Sequence, residues 1–201
     1  QSSGYSAVTE SFNGTSWTTN NNLNTARMAL AGCGLQNAAL SCGGNNGSYL
    51  GTTELFNGTS WATKNNLNTS RSAFPCAGTI TAALSYGGYT GSSLSAVESF
   101  NGTSWTTKGN LNIIKQSATG CGSQTSALSF GGYQSQTSSY LNTTELFNGT
   151  SWIIIQYMNK AREQMARAGT SSAALSAGGY SSSGGYLATT EAYNSYFFTQ
   201  L

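Results

Sequence analysis

The chain of 201 residues carries little charge, and it contains neither histidine nor aspartate. Charged residues make up 7% of the sequence, against about a quarter in ordinary globular proteins, so the surface must rely on hydroxyl and amide groups. The net charge of +2 is spread along the chain and provides no basic stripe, and no apolar run approaches the roughly 18 residues that cross a bilayer. The composition therefore disfavours binding to nucleic acid and insertion into a membrane.

The first element along the chain is half of a repeated unit. The block Glu-x-Phe-Asn-Gly-Thr-Ser-Trp begins at Glu10 and returns at Glu54, Glu98 and Glu145. Its tryptophans are 44, 44 and 47 residues apart, and the Gly-Gly pairs that follow the blocks repeat the same steps. Two markers that shift together indicate duplication of whole units. Periods of about 40 to 50 residues are typical of propellers and solenoids, whose units bury their apolar faces against their neighbours.

Each complete unit should form four short strands, named a, b, c and d here. In the first complete unit we expect strand a at 26–33, strand b at 38–42, strand c at 52–56 and strand d at 60–63. The Asn-Gly pair between strands c and d predicts a type I′ hairpin turn, in which both central residues have positive φ. Gly, Ser, Thr and Asn dominate the chain and favour strands and turns over helix.

The whole chain, 1–201, is expected to form one domain. Its units span approximately 1–19 (a partial unit), 20–63, 64–107, 108–154 and 155–201. Two c–d hairpins, one near each terminus, compete for the edge of the last a and b strands. We expect the C-terminal pair to occupy this edge, because strands adjacent in sequence usually pair. The N-terminal hairpin then has a free edge, which predicts a longer polypeptide or edge-to-edge self-association.

Five markers in each unit resemble the kelch repeat, which has a basic residue, an apolar strand ending in Gly-Gly, then Glu-x-Tyr-Asp and Trp. The matching residues of the first complete unit are Arg27, Gly43-Gly44, Glu54-Leu55-Phe56-Asn57 and Trp61. The resemblance covers nearly the whole chain. It implies an all-β protein, a β-propeller of four-stranded antiparallel blades with four repeats plus a partial one. The Asn/Gly/Thr/Ser-rich composition is also similar to repeat proteins of bacteriophage virions and bacterial surfaces.

Glutamates and cations recur at fixed positions of the units and predict structural ion pairs. A residue that is present in every blade serves to build the blade, and an enzyme would not need its acid in every unit. We expect buried or half-buried pairs that join strand c to strand a or to the next blade, since one partner left alone inside would be strongly destabilising. The residues concerned are Glu10, Glu54, Glu98 and Glu145 with Arg27, Arg71, Lys115 and Arg162.

The absence of histidine and aspartate removes most catalytic and metal chemistry. General base catalysis, a Ser-His-Asp arrangement and copper or zinc sites would lack their usual groups. The sequence therefore predicts no enzyme, no cofactor and no metal. The four cysteines, which form no Cys-x-x-Cys motif, leave two alternatives open: core filling by small side chains, and a Cys33–Cys42 bridge between strands a and b.

One end of the blades should carry the variable loops. The b-to-c and d-to-a connections emerge on this face, while the Asn-Gly turns emerge on the other. Rigid aromatic rings beside adaptable amides suit recognition of neutral carbohydrate or protein, and ordinary loop chemistry explains the same residues equally well. The candidate ligand-binding residues are Tyr49, Tyr89, Tyr133, Tyr180, Asn22, Asn66 and Asn110.

Three functions stay open at the level of the sequence. The first is a non-enzymatic structural and binding module, extracellular or virion-associated, whose partners are protein subunits of a larger assembly. The second is a secreted or surface lectin that binds surface glycans. The third is a glycan-active enzyme, which the missing residue types disfavour. The expected location is extracellular or virion.

Overall fold

The computed structural model describes residues 4–195, which form short β-strands and essentially no helix. Four antiparallel sheets are arranged in a ring that resembles a four-bladed β-propeller, so the predicted all-β propeller is confirmed. Within 4–195 no helix is long and apolar enough to span a membrane. In chain order the strands are β1 (Thr9–Phe12), β2 (Trp17–Asn20), β3 (Ala31–Leu35), β4 (Ala38–Cys42), β5 (Thr53–Phe56), β6 (Trp61–Lys64), β7 (Cys76–Thr79), β8 (Ala82–Tyr86), β9 (Val97–Phe100), β10 (Trp105–Lys108), β11 (Thr119–Gly122), β12 (Ala127–Phe130), β13 (Tyr133–Gln134), β14 (Ser139–Tyr140), β15 (Thr143–Phe147), β16 (Trp152–Tyr157), β17 (Ala166–Gly169), β18 (Ala173–Ala177), β19 (Tyr180–Ser181), β20 (Gly185–Tyr186) and β21 (Thr190–Asn194).

Each complete blade is an antiparallel sheet whose strands pair in the order a, b, c, d. Blade 1 contains β3 to β6, blade 2 contains β7 to β10, and blade 3 contains β11, β12, β15 and β16. Blade 4 contains β17, β18 and β21 within the described residues, and β1 pairs with β2 in a separate N-terminal hairpin. Two small ribbons, β13–β14 and β19–β20, lie in the b-to-c connections of blades 3 and 4. The a strands of consecutive blades contact one another and line the centre of the ring.

The strand boundaries agree with the sequence except at strand a. Strand b was expected at 38–42 and is β4, and strands c and d each begin one residue later than expected. Strand a begins at Ala31, because the segment before it is irregular. Ala29 has a φ of 51°, which is left-handed and interrupts an extended path.

The turn between strands c and d is not the expected type I′ turn. Its loop has four residues, Asn57 to Ser60, and of the Asn-Gly pair Gly58 alone has positive φ, at 91°. Asn57 Oδ1 instead accepts hydrogen bonds from the backbone N–H groups of Thr59 and Ser60 at 3.0 and 2.9 Å. The same pair of bonds recurs in the other three turns. The asparagine is therefore used for its side-chain acceptor and not for its tolerance of positive φ.

Consecutive blades pack through two different apolar faces. The face toward the following blade carries a leucine of strand b, and Leu40, Leu84 and Leu128 are all buried. In blades 1 to 3 the opposite face carries a Phe–Trp pair, such as Phe100 and Trp105, whose ring centroids are 4.9 Å apart. In blade 4 the corresponding face carries Tyr193. Three apolar clusters result, one between each pair of consecutive blades.

The indole N–H of the tryptophan also forms hydrogen bonds across the interfaces. Trp105 Nε1 of blade 2 donates to Thr53 Oγ1 of blade 1 at 2.9 Å. Trp61 Nε1 of blade 1 donates to Thr9 Oγ1 of the N-terminal hairpin at 3.0 Å. The hairpin therefore contacts blade 1 in the way that strands c and d of a preceding blade would.

A second series of hydrogen bonds joins the blades near the axis. It uses four left-handed residues, Ala29, Ala73, Ser117 and Gln164, whose φ angles lie between 50° and 57°. The N–H of Ala73 donates to the Ala29 carbonyl oxygen at 2.9 Å, Ser117 donates to Ala73 at 2.8 Å, and Gln164 donates to Ser117 at 3.0 Å. Each bond links one blade to the next, so the series runs from blade 1 to blade 4.

The junction between blade 4 and blade 1 differs from the three others. Strand β18 pairs with β21, so the C-terminal strand occupies the contested edge, as the sequence predicted. Leaving Asn194 aside, no hydrogen bond within 4–195 joins blade 4 to blade 1 or to the N-terminal hairpin. Apolar side chains of the hairpin and of blade 4 are exposed at this junction.

Candidate binding face and structural ion pairs

The Gly-Gly pair after strand b turns the chain across the end of the ring. In blade 2, Gly87 and Gly88 have φ angles of 68° and 108°, and a Cβ added to Gly87 would lie 2.7 Å from the Lys115 carbonyl oxygen. Glycine is therefore required by both backbone conformation and close approach. The turn places Tyr89 in a β-bridge with Ser72, the residue that follows the strand-a cation. Equivalent bridges recur in blades 1, 3 and 4.

Tyrosine rings form two groups at this end of the blades. The rings of Tyr49 and Tyr89, from blades 1 and 2, meet edge to face with centroids 5.7 Å apart. A longer row crosses blades 3 and 4 through Tyr133–Tyr140 at 5.1 Å, Tyr140–Tyr180 at 5.7 Å and Tyr180–Tyr186 at 5.3 Å. The surface formed by these six residues is called the tyrosine face below. Four of them were predicted, and Tyr140 and Tyr186 extend the row.

A polar network fixes the loops of blades 2 and 3 beside the rings. The buried Ser93 Oγ lies 3.1 Å from Ser135 Oγ and 3.2 Å from both Gln116 Oε1 and the Tyr133 carbonyl oxygen. Gln136 Nε2 donates to the Ser93 carbonyl oxygen at 2.9 Å. Because these bonds join side chains and backbone of separate loops, they hold the tyrosine rings on a rigid base.

Glu163 is a carboxylate next to the tyrosine row that the sequence analysis did not single out. It forms a β-bridge with Tyr180, and its position in blade 4 corresponds to that of Ser72 in blade 2. Burial raises the pKa of Glu163, and a hydrogen bond with Ser117 opposes this shift. Desolvation, and then the charge of Glu163, raise the pKa of Tyr140. Glu163 could have been identified from its position in the repeat, because it directly follows the strand-a cation Arg162.

The predicted asparagines form no ring contact or hydrogen bond with the tyrosines among the described residues, and their part in binding stays a prediction. Asn22, Asn66 and Asn110 are exposed in the d-to-a loops. Among the described residues, no hydrogen bond connects any of them to a tyrosine ring. The structure thus brings together the aromatic part of the predicted site, and the neighbouring polar groups come from the network around Ser93.

The recurring glutamates and cations form ion pairs inside single blades. Each pair joins strand c to the segment that precedes strand a, and the first three pairs are out of solvent. Burial lowers the pKa of the cations of these three pairs, and attraction to the glutamate opposes the shift. The pairs are Arg27–Glu54 (3.1 Å), Arg71–Glu98, Lys115–Glu145 (3.0 Å) and Arg162–Glu191 (2.8 Å).

Both carboxylate oxygens of Glu54 accept hydrogen bonds. Oε1 accepts from Arg27 Nη2 at 3.1 Å, and Oε2 accepts from the backbone N–H and the side-chain Nδ2 of Asn24, each at 2.7 Å. Arg27 also donates to Ser41 Oγ at 2.9 Å and to the Thr52 carbonyl oxygen at 3.0 Å. Asn24 belongs to the preceding d-to-a loop. The pair therefore fastens this loop to the blade and leaves the carboxylate no free oxygen for chemistry.

Glu10 is the exception among the predicted pairs. It is exposed, and within 4–195 no cation forms an ion pair with it. Every paired glutamate uses a cation that precedes strand a of its own blade, and the described part of the hairpin has no strand a. The ion pair predicted for Glu10 is therefore wrong, and Arg162, the fourth predicted cation, pairs with Glu191 instead.

The cysteines are free thiols, and the bridge between Cys33 and Cys42 is not formed. Cys33 Sγ lies 3.5 Å from Cys76 Sγ, across the interface of blades 1 and 2. A hydrogen bond with Cys76, followed by burial, raises the pKa of the Cys33 thiol. Among the described residues no group of three or more histidine, cysteine or acidic side chains is placed to hold a metal ion. The cysteines thus pack as small side chains between blades.

A cavity of about 130 Å³ lies between blades 3 and 4, apart from the tyrosine face. Its lining combines Phe130, Met158 and Ala174 with Thr144 and Glu191, and it includes no residue of the tyrosine face. Glu191 is already held by Arg162 and by the backbone N–H of Asn159. The cavity therefore adds no reactive group to the site.

A scan against protein families finds no match to the chain, and a search of curated proteins finds none either. The function must therefore be argued from the described residues. These offer aromatic rings and neutral hydrogen-bonding groups at one end of a rigid ring, while the repeated carboxylates are engaged in ion pairs.

Proposed function

We propose that the chain is a non-enzymatic structural and binding module of the kelch type, which acts outside cells or in a virion such as that of a bacteriophage. The observation that carries this proposal is the tyrosine face. Tyrosine supplies a large contact area at a low cost in conformational entropy, and nearby amide and hydroxyl groups adapt their hydrogen bonds to a partner. Only 7% of the residues of the chain are charged, which suits recognition of a neutral partner.

Binding without catalysis agrees with the positions of the carboxylates. Glycoside hydrolysis uses two carboxylates about 5 to 9.5 Å apart, at least one of them open to the substrate. The buried Glu54 and its equivalents are committed to cations and loop amides. Glu163 stands beside the tyrosines, and Glu191, the other described carboxylate of its blade, is held by Arg162 and by the backbone N–H of Asn159.

The favoured partner is a neutral protein surface within a larger assembly. The row from Tyr133 to Tyr186 crosses two blades, and its supporting loops are tied together through Ser93. A rigid aromatic row of this kind contributes binding energy because little side-chain freedom is lost on contact. In such an assembly the blades form a rigid support that holds the tyrosine row against the partner protein.

A lectin is the second candidate, and one observation favours it. Tyr186 is 89% exposed and lies at the end of the row, 5.3 Å from Tyr180 between ring centroids. An exposed ring that is held by a neighbouring ring offers a flat apolar surface on which a sugar could stack, with polar groups close by for its hydroxyls. In this case each glycan would occupy one or two blades.

The test uses a double variant in which two tyrosines of the row, Tyr133 and Tyr180, are replaced by alanine. The labelled chain is applied to a glycan array and to purified virion and cell-surface fractions of the producing organism. Specific binding to particles supports the assembly role, and specific binding to the array supports the lectin. In either case we expect the double variant to weaken binding by about tenfold or more.

Tyr157→Ala provides the matched control, because Tyr157 is an exposed tyrosine of β16 outside the tyrosine face. It should leave binding unchanged. The proposal is overturned if neither probe is bound, or if binding is the same for the double variant and the unmodified chain.

A further inference from the structure

Two exposed apolar surfaces face the junction between blade 4 and the N-terminal hairpin. On the hairpin, the rings of Phe12 and Trp17 pack with centroids 5.4 Å apart, and Trp17 is 67% exposed. This surface, together with Val8, is called the Trp17 surface. On blade 4, Leu175 is 42% exposed and is flanked across the sheet by Ala168 and Ala192, both of which are exposed. With Thr190, these residues form the Leu175 surface.

The three internal interfaces show how two such surfaces pack. Leu40 of blade 1 lies in one apolar cluster with Phe100 and Trp105 of blade 2. Leu84 and Leu128 occupy the same position in blades 2 and 3 and are likewise buried. A Phe–Trp pair of the next blade covers Leu40 and Leu84, and Tyr193 of blade 4 packs against the cluster of Leu128. Leu175 is the fourth member of this series, and among the described residues no aromatic pair covers it. Phe12 and Trp17 are such a pair, and they lack the leucine.

We propose that the Trp17 surface of one copy of the chain binds the Leu175 surface of a second copy. The contact joins two different surfaces, so it is a head-to-tail interface that forms dimers first and longer chains as concentration rises. It lies apart from the tyrosine face and does not depend on the function proposed above. A second copy is the occupant that fits best, because it presents the same Phe–Trp pair that covers Leu40 and Leu84 in the two interfaces formed by blades 1, 2 and 3.

The hydrogen bonds of the internal interfaces specify one further contact. Trp105 donates to Thr53, and Trp61 donates to Thr9, and each threonine immediately precedes the glutamate of strand c. Thr190 holds this position in blade 4, where it precedes Glu191 and is exposed. Trp17 Nε1 of one copy therefore donates to Thr190 Oγ1 of the other.

The hydrogen bond between Trp17 and Thr190 is expected to set how the two copies align and to add little to their affinity. In the interface of blades 2 and 3, Val97 takes the place of the threonine, and the buried Trp152 Nε1 has no hydrogen-bond partner. That interface still buries Leu84 completely. Burial of apolar area is thus sufficient for packing, and Trp17 and Leu175 are the residues that a test should change.

Sedimentation velocity over a wide range of concentration tests the proposal. The unmodified chain should shift from monomer to dimer and larger species as concentration increases. Trp17→Ala and Leu175→Glu should each weaken this association by about tenfold or more, since each removes the centre of one surface. Leu35→Ala is the control, because Leu35 is 72% exposed and belongs to neither surface. Circular dichroism verifies that all variants are folded.

A mixture of the two variants makes the test specific for a head-to-tail interface. The Trp17→Ala chain keeps an intact Leu175 surface, and the Leu175→Glu chain keeps an intact Trp17 surface. Mixed in equal amounts, they should form a heterodimer that does not extend further. A chain that stays monomeric at every concentration, association that survives both substitutions, or a mixture that stays monomeric would overturn the proposal.

Discussion

Glu10 and Glu54 begin the same eight-residue motif, yet they have opposite environments. Glu54 is buried and bonded to Arg27 and Asn24, whereas Glu10 is exposed and has no ion pair among the described residues. The motif is the same at both sites, so the difference comes from the rest of the unit. The unit of Glu54 has a cation before its strand a, whereas the described part of the hairpin has neither strand a nor such a cation. The pair of sites provides an internally matched experiment on the strength of the buried ion pair.

Glu54→Gln should lower the free energy of unfolding by about 3 kcal/mol, because it leaves the Arg27 charge buried without its partner. Glu10→Gln should change it by less than about 0.5 kcal/mol, as is usual for an exposed position. Urea denaturation followed by tryptophan fluorescence measures both. Similar losses at the two sites would contradict a stabilising role for the buried pair.

At the scale of elements, the irregular segment before each a strand is the feature that the sequence did not reveal. Ala29 and Ala73 adopt left-handed backbone conformations that alanine normally avoids. They do so because the Ala29 carbonyl oxygen accepts a hydrogen bond from blade 2, and Ala73 bonds to blade 1 through its N–H and to blade 3 through its carbonyl oxygen. Nothing in an alanine side chain signals such a bond. The tertiary contact decides the conformation, and strand a starts later for that reason.

Ala73→Gly tests this conformation. Glycine relieves a left-handed strain of about 1 kcal/mol while adding flexibility to the unfolded chain, so stability should stay unchanged or rise by up to about 1 kcal/mol. Ala62→Gly is the control in an exposed position of β6, where we expect a loss of about 0.5 to 1 kcal/mol. Thermal and urea unfolding measure both variants. An equal loss at both positions would mean that Ala73 carries no strain.

The repeat spacing predicted the order of the strands and the occupation of the last edge, because equivalent residues must take equivalent places. It also predicted that the tyrosines follow the Gly-Gly pairs. It did not predict the contact between Tyr140 and Tyr180, which depends on the ribbon β13–β14 in the b-to-c connection of blade 3. Blade 4 has a similar ribbon, and blades 1 and 2 have a single β-bridge at this place. Loop paths and side-chain partners vary between units, and spacing alone carries no information on them.

At the scale of the whole molecule, cohesion comes from the contacts between neighbouring blades. The apolar clusters lie between blades 1 and 2, 2 and 3, and 3 and 4, so blades 2 and 3 are covered on both sides. The N-terminal hairpin and strand β17 have many exposed residues. Stability should therefore decrease from the centre of the chain toward both ends.

Hydrogen exchange should show this gradient, with the slowest amide exchange in β8 and β12 and the fastest in β1, β2 and β17. Mass spectrometry of the Trp17→Ala chain measures it on monomers, so that self-association does not protect the hairpin. The pair β9–β10 is the matched comparison for β1–β2, since both contain the same motif. Uniform protection along the chain would contradict a gradient.

The repeated use of one pair of faces by blades 1 to 3 has a consequence for inheritance. A gene for such a chain can gain or lose a whole unit by recombination between its own copies, and the new neighbours meet through faces that already match. Each event changes the length of the protein without creating a new kind of contact. The number of blades can thus drift between related genes, while the residues within a unit stay under the same selection.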